Sequence, residues 1–163
     1  MAFALDLSKF IEKAQGNTEM VIRKTGTDML AKLIDRSPVG NPDVWLSMNP
    51  VTDISTGKTS TQGKAPDGYV GGRFRGNWQV AFDSAPGGEV DRVDPDGKST
   101  LAIGKVVLSA YKSGVGSIWL ANNVPYSYSL EMGHSSQAPQ GMAGITAAEF
   151  QTYVNQAVRE LDT

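Results

Sequence analysis

The first third of the chain repeats apolar residues at helical spacing, and the repeat then stops abruptly. The spacing predicts a short helix over 7–14, a break at Gly16-Asn17, and a longer helix capped by Asn17 or Thr18 and reaching about Arg36. Ile22, Gly26, Met29, Leu30, Leu33 and Ile34 form its apolar stripe, while Lys24, Asp28, Lys32 and Asp35 fall on other faces. Ser37-Pro38 ends it, because a residue before proline resists the α conformation.

Residues 38–72 are different in kind. Prolines and glycines punctuate a polar stretch, and Ser55 to Lys64 has too little apolar surface to order itself by burial. A loop this long in a compact domain is usually functional or flexible. Val44-Trp45-Leu46 gives it one apolar foot, so an arm or long hairpin projecting from the body is expected at about 41–70.

Period-two alternation follows at Asn77–Asp83, with Trp78, Val80 and Phe82 on one side, which predicts a strand. Arg73 and Arg75 alternate just before it and are placed on one face of the incipient strand. Asp94-Pro95-Asp96-Gly97 predicts a turn; Lys98–Tyr111 is open to helix or strand, and the spacing of Ile103, Val106, Val107, Ala110 and Tyr111 over a run this long favours helix; Ser117–Ala121 predicts a short strand. Pro125 suits the first position of a short helix with Asn123 near its cap, and Gly133 suits its left-handed stop. Thr146 and Glu149 have capping-box spacing, with Ile145 and Phe150 as a hydrophobic staple, ahead of the stripe Phe150, Tyr153, Val154, Ala157, Val158 and Leu161. The order predicts one α+β domain over 1–163: a small antiparallel β-sheet packed against a long N-terminal helix and a C-terminal helix, with a long projecting loop or hairpin.

Composition narrows the function classes. At 163 residues, with 40% hydrophobic and 20% charged residues, the chain can bury a sizeable core. A net charge of −2 and a pI of about 5.3 provide no global field toward nucleic acid or an anionic membrane. The absence of cysteine removes disulfides, thiolate metal sites and cysteine nucleophiles. The first residues lack the pattern of a signal peptide, and no apolar run approaches the roughly 18 residues of a membrane span. A protein made and used in the cytoplasm, or in a particle assembled there, is expected.

No motif makes a reaction centre. Gly57-Lys58-Thr59 matches the end of a phosphate-binding loop, but Thr52 stands where the first glycine belongs. Asp91, Asp94, Asp96 and Gly97 hint at calcium, yet Arg92 interrupts the ligand spacing and no closing glutamate follows. A solvated turn is expected there. His134 is the single histidine, and neither Ser135 nor Ser136 has the glycine context of a nucleophile elbow. A hydrolase using Glu131 and His134 is therefore a remote reading, and no catalytic, cofactor or metal residue is assigned. Of Arg73 and Arg75, one is expected to pair with a carboxylate such as Glu131, and the other to make an interface contact. Trp78, Trp119 and Tyr126 are expected in the core, and Trp45 and Tyr69 on a neighbour.

Four segments, in order, resemble the tail-completion (head–tail joining, neck) proteins of long-tailed bacteriophages. They are Arg36-Ser37-Pro38-Val39-Gly40, then Gly71-Gly72-Arg73-Phe74-Arg75-Gly76-Asn77-Trp78, then Ile118–Asn123 running through Val124-Pro125-Tyr126 to Leu130-Glu131-Met132-Gly133, then Gln137-Ala138-Pro139-Gln140-Gly141-Met142. The resemblance spans nearly the whole chain, although residues 41–70 intervene where many relatives run almost directly from Ser-Pro-Val into Gly-Arg. It implies a structural virion protein without enzymatic activity or cofactor, located in the neck and assembled in the host cytoplasm. Its partners would be further copies in a hexameric ring, the tail terminator or tail tube protein, and the head connector or stopper. Genomic DNA would pass through without specific binding, and no membrane would be involved. Pro38, Trp78, Pro125, Tyr126, Glu131 and Gly133 are assigned as structural corners. Trp45, Leu46, Lys58, Lys64, Tyr69, Arg73 and Arg75 are assigned as subunit or partner contacts. A tail terminator, or a DNA-binding module using Arg73, Arg75, Lys58 and Lys64, are the alternatives.

Overall fold

The computed structural model describes residues 2–44 and 46–161, with side chains except at 2–8, 44, 46–51 and 61–62. The elements run α1 (Ala2–Arg36), a 3-10 turn (Pro42–Val44), β1 (Leu46–Thr52), β2 (Thr59–Gln62), α2 (Arg73–Gly76), β3 (Trp78–Phe82), α3 (Lys98–Ser109), β4 (Ile118–Asn122), α4 (Ser127–Glu131), α5 (Ala143–Ala148) and α6 (Phe150–Leu161). The architecture is α+β, as the residue pattern predicts. The long helix α1 packs against α6 and α3, and α3 packs against β3. The strands form two antiparallel pairs, β1 with β2 and β3 with β4.

Residues Leu30, Leu33, Ile34, Phe74, Trp78, Leu108, Val124 and Met142 make the core. Helices α1 and α3 approach closely because each offers a glycine to the other's leucine: a Cβ at Gly26 would meet Leu108, and one at Gly104 would meet Leu30. In the β3–β4 pair, Trp78 faces Asn122, Val80 faces Leu120 and Phe82 faces Ile118, so one sheet face carries the apolar residues inward. Edge-on ring contacts of Phe74 with Trp78 (6.1 Å) and of Phe82 with Tyr111 (6.0 Å) close its two ends.

Several expectations are corrected. Helix α1 does not break at Gly16-Asn17. A lone glycine costs a helix only about 1 kcal/mol, nothing crowds Gly16, and the Thr18 hydroxyl donates back to the Ala14 carbonyl instead of capping a new helix. Thr146 lies inside α5, where its hydroxyl donates to the Met142 carbonyl, and Glu149 turns to Arg36. No capping box forms, because that helix has already started at Ala143. Residues 73–76 are a helical turn rather than a strand, since Gly76 N–H donates to the Gly72 carbonyl. Arg73 and Arg75 accordingly point apart and find different partners. Pro125 precedes α4 within a turn, and Asn123 bonds the Pro86 and Gly88 carbonyls rather than capping the helix. The polar segment 53–58 is ordered without burial. The Asp53 carboxylate accepts from Ser55 N–H, the Ser55 hydroxyl and Thr56 N–H, closing the turn between β1 and β2.

Candidate functional site

Four separated segments meet in one joint at the C-terminal end of α1. Ser37, fully buried, sits where Pro38 stops the helix, and its hydroxyl donates to the Leu33 carbonyl at 2.7 Å. The same oxygen accepts from Trp78 Nε1 at 2.7 Å, and the Ser37 carbonyl accepts from Arg75 at 2.8 Å. Asn122 Nδ2 donates to the Phe74 carbonyl, tying β4 to α2. Gln137 closes the circuit by accepting from Val39 N–H and donating to the Val39 carbonyl. Asn77, wholly buried, donates to the Arg73 carbonyl and accepts from Val90 N–H. Apart from Arg75 Nε, which is buried with no partner among the described residues, the buried polar groups of the joint are paired, and this favours one arrangement of the chain.

Glu131 completes the joint from α4. Its carboxylate accepts from the backbone N–H groups of Met142, Ala143 and Gly144 at 2.8–2.9 Å, capping α5 from eleven to thirteen residues away. Burial, the largest single influence, pushes this carboxyl up. The three amide donors together outweigh it and hold the group below the usual carboxylate range. Gly133 (φ 83°) ends α4 in the left-handed conformation, and Gly141 (φ 74°) lies against Glu131 where a side chain would collide with the carboxylate. Arg36 reaches across to Thr146 Oγ1 (2.9 Å) and Glu149 (2.6 Å). The Glu149 carboxyl is held low first by Arg36 and then by the Tyr153 hydroxyl. Burial, followed by Glu149, pushes Tyr153 up to about 12.

Arg73 and Arg75 both have partners within the chain. Arg73 pairs with Glu89 at 2.7 Å, not with Glu131, and Arg75 donates to the Pro95 and Ser37 carbonyls. Sequence spacing missed Arg92, which donates to the Gly76 and Trp78 carbonyls. Lys58 is exposed, and exposed Lys64 pairs with Asp67. Trp45 lies outside the described residues, as does the side chain of Leu46. Tyr69 lines a cleft with Gly40, Arg73 and Tyr126 of its own chain.

Pro38 and Trp78 are buried corners. Tyr126 leans on Phe74 at 6.3 Å but is 41% exposed, and Trp119 is 44% exposed because it pairs with Ala81 on the outer sheet face. Those two aromatics are therefore not core residues. The aspartate-rich turn is not a merely solvated one. Buried Asp94 accepts from Thr100 N–H and its hydroxyl, and Asp96 accepts from Lys98 N–H, so both start α3. Among the described residues no cluster of three histidine, aspartate or glutamate side chains could hold a metal. None of their helices is long and apolar enough to cross a membrane.

A second feature was not legible from spacing. An apolar groove of about 490 Å³ runs along α1 between β4 and the α5–α6 pair, lined by Ile22, Met29, Leu33, Leu120, Phe150 and Val154 among others. Thr25 also lines it, and its buried hydroxyl has no hydrogen-bond partner among the described residues. Only a joint search along α1, β4 and α6 would have found it, because each element contributes an ordinary amphipathic stripe. Comparison with models of protein families, with curated proteins and with solved structures gives no match.

Proposed function

We propose that this protein is a structural component of a phage neck, completing the tail and joining it to the head connector as a ring around the DNA path. The carrying observation is the joint. The four segments that resemble tail-completion proteins lie far apart in sequence, yet they are linked to one another in a closed circuit: Ser37 to Arg75 and Trp78, Phe74 to Asn122, Glu131 to Met142, and Gln137 to Val39. Residues serving one shared framework explain why such segments occur together and in this order. Further support comes from Arg36, Arg73, Arg75 and Arg92, which bond within the chain and so suit a channel through which DNA slides without strong phosphate binding.

The β1–β2 hairpin is the part of the chain that the resemblance does not cover, and in this reading it reaches the adjoining ring. Removing Pro50 to Pro66 should leave a folded protein and block head–tail joining, measured as infectious particles from a complementation assay. Normal particle yield would overturn the hairpin's role. Native mass spectrometry with and without purified tails tests the ring and its partner together. Tight, salt-sensitive binding of duplex DNA by the purified protein would instead favour a DNA-binding module.

A further inference from the structure

Helix α1 holds two unpartnered apolar surfaces. Its C-terminal half forms the floor of the groove, from Val21 to Leu33. Its N-terminal half stands clear of the body: every residue from 9 to 18 is exposed, with Phe10 at 69% and Ile11 at 47%. Phe10, Ile11 and Ala14 make a ridge there by helical spacing, and the sequence continues the same spacing back to Leu7 and Phe3. A helical segment of this length is marginal in water without packing, because tertiary contact rather than propensity holds most helices.

Within one chain the ridge cannot fill the groove. Both lie on one continuous helix, and at about 1.5 Å per residue Phe10 stands roughly 25 Å along the axis from the middle of the floor. We infer that the N-terminal half of α1 packs into the α1–β4–α6 groove of a second copy of this chain. The contact matches an apolar ridge to an apolar trough and packs residues 9–18 of α1, which are exposed throughout in the monomer. It is heterologous: each copy offers one ridge and one groove, so head-to-tail repetition closes into a ring where the rotation allows. This inference shares with the proposed function only the premise of self-association.

The chain lacks cysteine, so disulfide trapping is free of background. Phe10→Cys with Phe150→Cys in one chain places a thiol on the ridge and another at the groove. On mild oxidation a ladder of covalent oligomers is expected. Phe10→Asp should weaken association at least about tenfold by light scattering, with an unchanged urea-unfolding midpoint of the monomer because residue 10 is exposed. A covalent dimer as the end product, each ridge in the other's groove, would uphold the contact and overturn the ring. Oligomers whose two engineered cysteines fail to cross-link on oxidation, or that survive Phe10→Asp, would overturn the contact and leave the ring standing. A full-length protein that stays monomeric at high concentration would overturn both.

Discussion

The two halves of α1 share one backbone geometry and differ in almost everything else. From residue 19 onward the helix is clasped on three sides, with Leu30, Leu33 and Ile34 buried and Gly26 in contact with Leu108. Arg23 donates to the Tyr111 carbonyl, and Lys24 links to Glu160 on α6. From 9 to 18 no described side chain is buried. Amphipathic spacing is present in both halves, so spacing alone does not separate a helix face that folds the chain from one that awaits a partner. What separates them is the second surface: small residues facing large ones across a helix pair in one half, open solvent in the other.

Truncation breaks the symmetry of the two halves most sharply. Leu30 is fully buried against Gly104, so Leu30→Ala should cost about 3 kcal/mol from lost transfer energy plus a cavity that a rigid helix pair cannot collapse. Phe10→Ala removes a larger side chain and should change monomer stability by less than about 0.5 kcal/mol. Urea unfolding of both variants, at concentrations where the protein is monomeric, checks the contrast. Equal losses would mean that the N-terminal half packs on its own body.

The joint at the end of the packed half is next in size. Glu131→Ala leaves three amide donors of α5 without their acceptor and should cost about 2 kcal/mol, whereas Glu131→Gln, which retains an acceptor, should cost about half as much. The acid response has a definite sign. Glu131 and Glu149 both have carboxyl groups lowered from the ordinary value of 4.5. The unfolded chain therefore binds protons first, and the stabilisation they give is complete above about 4.5 and is lost as pH falls through their lower folded values. Denaturation midpoints measured from pH 6 down to pH 3 should fall in the wild type and fall less steeply in Glu131→Gln. Parallel curves would remove Glu131 from the acid response.

Much of this was legible beforehand. The alternation of Trp78, Val80 and Phe82 marked β3, and the stripe from Ile22 to Ile34 marked the packed half of α1, because each is a local period read against a single buried face. The prolines and glycines of 38–72 marked a hairpin arm. Of the helix ends read from local residues, the left-handed stop at Gly133 holds, while the caps read at Asn17 or Thr18, Asn123 and Thr146 do not. Glu131 caps a helix eleven residues downstream, and this left Thr146 free to appear as a start signal that the fold does not use. The backbone carrying Arg73 and Arg75 is a helical turn where alternation suggested a strand, because two residues in alternation look alike in either, and the carboxylate that one of them pairs with is Glu89. The groove was invisible for a related reason, since its walls come from α1, β4 and α6 and no one of them is unusual.

The smallest expected effect tests whether the groove is finished or open. Thr25 lies on the packed half of α1, 5% exposed, with a hydroxyl that bonds nothing among the described residues. A helical threonine ordinarily returns its hydroxyl to the carbonyl three or four residues earlier, so an unpaired one carries a desolvation cost with no compensating bond. Valine has nearly the same shape and removes that cost. Thr25→Val should therefore leave the monomer unchanged or more stable by up to about 1 kcal/mol. The decisive comparison is between the isolated monomer and the self-associated protein. If the hydroxyl is unpaired in both, the stabilisation measured by thermal unfolding is the same at low and high protein concentration. If a neighbouring copy supplies an acceptor in the groove, the advantage of valine shrinks or reverses as concentration rises, and a single methyl-for-hydroxyl exchange then reports on what fills the trough.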